Sequence, residues 1–386
     1  MEYFVDIHYR CLSKDDEDLC GDQVRVLHTD KKSWAVLSDG IGNGVKANIL
    51  ASLTSDIMIH MLQADVSMRD VMETIVGTLP VSQEFGLAYA TFSLIEVDHH
   101  DLKFRICNFD NPAVLFFRNG KQMPLNYHTE MVLDREIQIT EGQLQKGDFI
   151  AAVSDGVVKA GPGFLHNDDW DLNSIASYME ECLHETPQEV KPVVEKTMLR
   201  TCEMYEGQIG DDTSMVGLLL RESRAAMVLS GPPLDEKEDD ELANRILNFN
   251  GTRIICGGTT ADIVALRAGF AVQTDNTFVR GNVPPIGFLP GIDLLTEGIL
   301  TLTATVELLD KAHGNIQLLL AEHNGASLLA QALLYADKIT FVVGQKINPF
   351  YQNPLLPMSV SIRKNLIEKL AEHLIKLNKQ VSIEYH

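Results

Sequence analysis

The sequence is short of several things that would settle its class at once. Its six cysteines, Cys11, Cys20, Cys107, Cys182, Cys202 and Cys256, are scattered, without the C-x-x-C spacing of a zinc site. Thiols in this pattern read as reduced side chains of a cytosolic protein. No uninterrupted apolar run approaches the roughly 20 residues of a membrane helix. The opening stretch, MEYFVDIHYR, is short, charged and strand-like rather than leader-like. The expected setting is therefore cytoplasmic, with no membrane. Positive charge is also scarce: 32 Lys and Arg stand against 54 Asp and Glu, a formal net charge of −22. That balance argues against a nucleic-acid backbone or an anionic membrane as the main partner. It leaves phosphate chemistry open, because a divalent metal can supply the charge that the side chains lack.

What is present fits a globular chain of 386 residues, 45% hydrophobic and 22% charged, long enough for two domains. Up to about Glu222, strand patterns interleave with a few helical tracts. Residues 45–63 have helical spacing, with Ile49, Leu53, Ile57 and Met61 on one face. Two alternating runs meet at His99-His100 as a hairpin, whose tip leaves both histidines to solvent. Asn119-Gly120 marks a second tight turn. Thr186 and Pro187 read as the N-cap and first residue of a helix. Many antiparallel strands with few helices predict an α+β sandwich over residues 1–222. The pattern then changes. Short apolar strands alternate with helices, including long helices around 292–310 and 325–336, and predict a smaller α/β domain with a parallel sheet over 223–386.

One phrase occurs twice. SWAVLSDGIGNG ends an apolar strand at Asp39 and follows it with Gly40, Gly42 and Gly44; FIAAVSDGVV does the same at Asp155. Asp-Gly at a strand end delivers a carboxylate to the sheet edge and lets the backbone come close to whatever the acid holds. Asp211 and Asp212 open a further strand, and Asp22 precedes another. Carboxylates gathered in this way repel one another unless a cation lies among them, and an all-oxygen site suits Mg²⁺ or Mn²⁺. The glycine spacing G-x-G-x-G matches neither the dinucleotide fingerprint nor the P-loop.

The segments LSDGIGNGVKA, NFDNPAVLFFRNGK, KGDFIAAVSDGV and GDDTSMVGL resemble, in order and spacing, the metal-dependent serine/threonine protein phosphatases of type 2C. The branch they resemble most is the bacterial group of stage II sporulation protein E, a signal-transduction family. The resemblance covers residues 1–221. It implies a β-sandwich flanked by helices, with a two-metal centre of Mn²⁺ or Mg²⁺ at one end. Asp39 would bridge both ions and the Gly40 carbonyl would hold one; Asp155 and Asp211 would complete the other. Asp22 would be a ligand, directly or through water, and Asp212 a neighbouring structural acid. The implied reaction is hydrolysis of phosphoserine or phosphothreonine on a protein by a metal-activated water, with Asp39, Asp155 and Asp211 at its centre. The implied partner is a regulator of the anti-sigma-antagonist type. Two departures stand out. Ile41 occupies the position where many eukaryotic members have a histidine, and no arginine clearly matches their phosphate-binding residue, Arg25 being the nearest in sequence. Asn108 and Asn111 fall where the family has a polar loop and are candidates for positioning substrate, although an asparagine turn before Pro112 explains them equally well.

In residues 223–386 three strands end in small or polar loops. The loop at Gly257, Gly258, Thr259 and Thr260 precedes a helix whose N-terminus favours an anion. It is the expected ligand loop of a regulatory domain, with Arg280 and Asn353 as outlying candidates. Rival readings are a catalytically weak phosphatase fold acting as a ligand-responsive scaffold and a nucleotide-binding enzyme centred on 257–263. The helix after Gly44 is a further candidate, for partner docking or a homodimer.

Overall fold

The structure is a computed structural model. It describes residues 2–42, 44–78, 90–161, 170–275, 283–312, 316–319, 324–346, 359–377 and 379–386. Arg280 and Asn353 lie outside the described residues. The chain divides into two compact units, Met1–Glu222 and Ser223–His386.

In the first unit the elements run β1 (Tyr3–Leu12), β2 (Asp22–His28), β3 (Lys32–Gly40), α1 (Gly44–Gln63), α2 (Met68–Thr78), β4 (Ala90–Asp98), β5 (Lys103–Phe109), β6 (Leu115–Arg118), β7 (Lys121–Met123), β8 (His128–Val132), β9 (Arg135–Gln143), β10 (Phe149–Val153), α3 (Asp155–Val158), α4 (Leu172–Glu185), α5 (Val190–Met204) and β11 (Thr213–Glu222). They form two antiparallel sheets, ordered β1-β11-β10-β6-β7 and β2-β3-β4-β5-β9-β8. The period of two along each strand decides the layers. Ala35 and Leu37 of β3 meet Ile150, Val216 and Leu218 of the other sheet in the core between them. Trp34 and Val36, one residue out of phase, face the opposite way and pack with Met58 of α1 and Met72 of α2. On the far side Phe149, Val153 and Met215 pack against α4 and α5. The result is the expected α+β sandwich, a helix layer on each outer face.

Three local expectations need correction. The apolar stripe of α1 is split: Ile49 and Leu53 are exposed, Ile57 and Met61 pack against the core on that side of the sheet, and the fully buried positions are Ala47, Ala51, Thr54, Ser55, Met58 and Leu62. Its first turns cross the sheet so closely that a Cβ on Gly40 would collide with the Ala47 carbonyl, so only small residues fit there. Thr186 ends α4 instead of starting α5: its N–H and hydroxyl both donate to the Cys182 carbonyl. The stretch around 292–310 is a short strand followed by a helix.

The second unit contains β12 (Ala225–Ser230), α6 (Asp239–Leu247), β13 (Thr252–Cys256), α7 (Gly258–Ala268), β14 (Gln273–Asp275), β15 (Ile286–Phe288), β16 (Leu294–Thr296), α8 (Ile299–Ala312), α9 (Gly325–Tyr335), β17 (Lys338–Val343), α10 (Ser359–Lys376) and β18 (Gln380–Tyr385). Its sheet order is β14-β15-β16-β13-β12-β17-β18. The five strands from β16 to β18 are parallel, and β14 and β15 add an antiparallel edge. The chain starts at the central β12, steps outward through β13 to β16, then crosses back to β17 and β18. The order therefore reverses between β12 and β17.

Candidate metal centre

Four backbone segments carry the acids to one end of the sandwich. Asp22 opens β2 and is the ladder partner of Asp39, near the end of β3. Asp155 follows β10 and begins α3; Asp211 precedes β11, the strand paired with β10. Glycines make the approach tight enough. Besides Gly40 under α1, Gly156 lies against Asp212, where a Cβ would collide with the backbone carbonyl. The Tyr205 hydroxyl donates to the Gly156 carbonyl at 2.6 Å and fixes that turn. In the β3–α1 connection Gly42 and Gly44 have φ of 110° and 58°. The spacing of glycines at 40, 42 and 44 thus has two causes, close packing at the first and left-handed backbone at the others.

The electrostatics are those of an acid cluster short of cations. Burial pushes the Asp39 carboxyl up to about 9, helped by the negative charges of Asp22, Asp155 and Asp211. Burial likewise lifts Asp22 to about 7, against the hydroxyls of Ser154 and Ser214 that face it. Those hydroxyls do not reach hydrogen-bond geometry: both Asp22 carboxylate oxygens are buried without a partner. Asp211 is raised as well, first by burial and then by Asp155. Asp212 has a structural task, accepting the Lys14 N–H at 3.1 Å.

The positive charge comes from a residue that motif reading passed over. The Lys159 ammonium pairs with Asp155 one helical turn earlier and acts electrostatically on Asp211 and Asp39. Its signal was the i, i+4 spacing from Asp155, which puts both side chains on one face wherever the turn is helical. Among the described residues, no three His, Cys, Asp or Glu side chains converge closely enough to chelate an ion as they stand. The donor set nevertheless suits a hard cation: it is all oxygen, and the orphaned, fully buried Asp22 has none of the partners that a buried carboxylate requires.

Of the remaining candidates, Arg25, Asn108 and Asn111 are each engaged by neighbours, Asn111 through Thr91, the ladder partner of Asp39. Arg25 is engaged by Asp56 of α1 at 2.6 Å and by Gln23. Asn108 is buried; it accepts from Ser93 and donates to the carbonyls of Asn111 and Pro112. Asn111 bonds Thr91 and Ser93. The two asparagines thus tie the turn after β5 back to β4. The loop at 257–260 sits in the second unit, at the start of α7.

A sandwich with acids at the ends of paired strands has known relatives. Residues 29–221, half of the chain, match the family model described as stage II sporulation protein E (SpoIIE), and the chain belongs to that family. It is 23% identical over 201 residues to stage II sporulation protein E of Bacillus subtilis, covering 51% of this chain and 23% of that protein. To the protein of the same name from Priestia megaterium it is 23% identical over 219 residues, covering 55% of this chain and 36% of that one. The chain spans well under half the length of these curated relatives. Similar solved structures include the PP2C phosphatase domain with a regulatory-domain fragment of SpoIIE from Bacillus subtilis (20% identity, TM-score 0.48, 57% of this chain and 62% of that). Another is the RsbU and RsbW domains of a Mycobacterium tuberculosis protein (17% identity, TM-score 0.49, 63% and 67%). Among the described residues no helix is long and apolar enough to cross a membrane.

Proposed function

We propose that residues 1–222 form a metal-dependent phosphatase that hydrolyses phosphoserine or phosphothreonine on a regulatory protein, and that residues 223–386 regulate it. The observation that carries this reading is Asp22, a fully buried carboxylate whose two oxygens lack partners while Asp39, Asp155 and Asp211 crowd the same end of the sandwich. Asp39 feels all three of the others and would be the shared ligand; the Gly40 carbonyl, Asp22, Asp155 and Asp211 would complete the set. Two Mn²⁺ or Mg²⁺ ions, when bound, supply an activated water and charge stabilisation for an in-line displacement at phosphorus. The carboxylates position those ions. The orientation of Asp39 is set by the β2–β3–β4 ladder, and that of Asp155 by the first turn of α3. Lys159, paired with Asp155, would be available to a phosphoryl oxygen where a metal ion holds that carboxylate instead. Family membership supports a substrate of the anti-sigma-antagonist type in a cytoplasmic signalling system.

The test is hydrolysis of p-nitrophenyl phosphate with and without Mn²⁺, for the wild type and Asp39→Asn. Metal-dependent turnover that the variant loses supports the assignment; turnover that survives in the variant overturns it. Lys159 also favours a second reading, a weakly catalytic sensor, because it already neutralises Asp155 internally. Mn²⁺ binding without turnover under any partner or ligand condition would select that reading.

A further inference from the structure

In the second unit, the carboxyl ends of β12, β13 and β16 border a cleft of about 250 Å³. It lies where ligands of open α/β sheets bind, beside the reversal of strand order between β12 and β17. Arg363 of α10 reaches into that reversal. Its Nη1 donates to the Gly344 carbonyl at 2.9 Å, just beyond β17, and a Cβ on Gly231, just beyond β12, would collide with the guanidinium. Glycine at 231 is what makes room for the charge. Among the described residues no carboxylate lies within ion-pair distance of Arg363, and burial holds its pKa below the usual arginine range. Glu297, on the same lining, acts on it electrostatically without forming an ion pair, so the guanidinium keeps donors free of any carboxylate contact.

The opposite wall is the start of α7. Its N-cap is Gly257, at φ 133°, and no side chain caps the helix. Such an end presents N–H groups and partial positive charge to the cleft. Independently, the Thr260 hydroxyl lines the cleft, in a residue only 2% exposed, without a hydrogen-bond partner. Buried hydroxyls are normally bonded. Glu297, also on the lining, accepts the Leu300 N–H at 3.1 Å and so serves α8; its other acceptor sites suit a hydroxyl or amine. The cleft is smaller than the about 300–1,000 Å³ typical of drug-sized ligands.

We propose that this cleft binds a small phosphorylated metabolite, its phosphoryl group held between the α7 N-terminus, Thr260 and Arg363 and its hydroxyl-bearing body beside Glu297. The inference deepens the regulatory role given to residues 223–386, but concerns binding alone; it stands whether or not residues 1–222 are catalytic.

The experiment is calorimetric titration of the full chain, in chelator to empty any metal centre, with ribose 5-phosphate, a nucleoside monophosphate, inorganic phosphate and unphosphorylated ribose. One-to-one binding of a phosphorylated probe, absent with ribose, is expected. Thr260→Val, which keeps the shape and removes only the hydroxyl, should weaken it about tenfold, the worth of one good hydrogen bond to a charged group. Arg363→Gln should weaken it further, and Asp39→Asn should leave it unchanged. A preference for the nucleoside monophosphate also supports the site and enlarges its ligand. Binding that Thr260→Val leaves intact, binding lost in Asp39→Asn, equal binding of ribose, or no binding of any probe overturns the proposal. Failure of the phosphatase reading would show instead as absent turnover with this binding preserved.

Discussion

At the scale of single residues, the acid cluster works against the stability of the metal-free protein. Folding raises Asp39 from 3.8 to about 9 and Asp22 from 3.8 to about 7, so the folded chain holds protons that the unfolded chain has released. The contribution of both groups is complete below the unfolded value of 3.8 and is lost as pH rises toward 9. In chelator, the melting temperature of the first unit should fall across that window, and Mn²⁺ should restore it. A flat profile would contradict the burial argument. Asp39→Asn replaces a carboxyl that must take up a proton to fold at neutral pH with a neutral amide of nearly the same shape, and should raise the metal-free melting temperature by about 2–4 °C, the worth of 1 kcal/mol in a unit of this size. Lys159 bears on the same balance from the other side. Lys159→Ala removes the internal cation on Asp155, and the Mn²⁺ concentration for half-saturation should drop severalfold. Weaker Mn²⁺ binding in that variant would show that Lys159 organises the carboxylates instead of competing for them.

At the scale of elements, the decisive contact is α1 over the end of β3. Gly40 and Ala47 touch so closely that Gly40→Ala should cost about 3 kcal/mol, the upper end of overpacking penalties, because the obstacle is backbone carbonyl rather than a movable side chain. Urea unfolding measures this; a loss under 0.5 kcal/mol would mean that α1 lifts away easily. The same contact explains why helical spacing located α1 while the N-terminal half of its apolar stripe stays exposed. Hydrophobic periodicity assumes that large residues face inward. Where a helix lies almost on a sheet, alanine and serine take the inner positions, and Ile49 and Leu53 are left outside. Thr186 failed for a related reason. Threonine before proline resembles a helix start, but the preceding helix claims its hydrogen bonds.

At the scale of the whole chain, two compact units with separate cores predict unfolding that is not two-state. Calorimetry should resolve two transitions, and millimolar Mn²⁺ should raise only the one belonging to Met1–Glu222, by linkage to the folded form of that unit. A single transition that moves as a block would show that the units unfold together. Much of this organisation was legible in the sequence. Strand alternation, turn residues and the switch to β–α alternation after Glu222 are local patterns with local causes, and the order of four Asp-bearing motifs is itself a signature of the family. The sequence alone also named the candidate hard-cation ligands, because Asp-Gly recurs where its apolar strands end. The tertiary structure decided what depends on distant segments meeting: that Asp22 is buried without a partner, that Lys159 neutralises Asp155, that Asn108 and Asn111 spend their hydrogen bonds on a turn, and that Arg363 enters the crevice between β12 and β17. Desolvation and charge proximity are sums over neighbours brought from far along the chain, and no spacing within one segment encodes them.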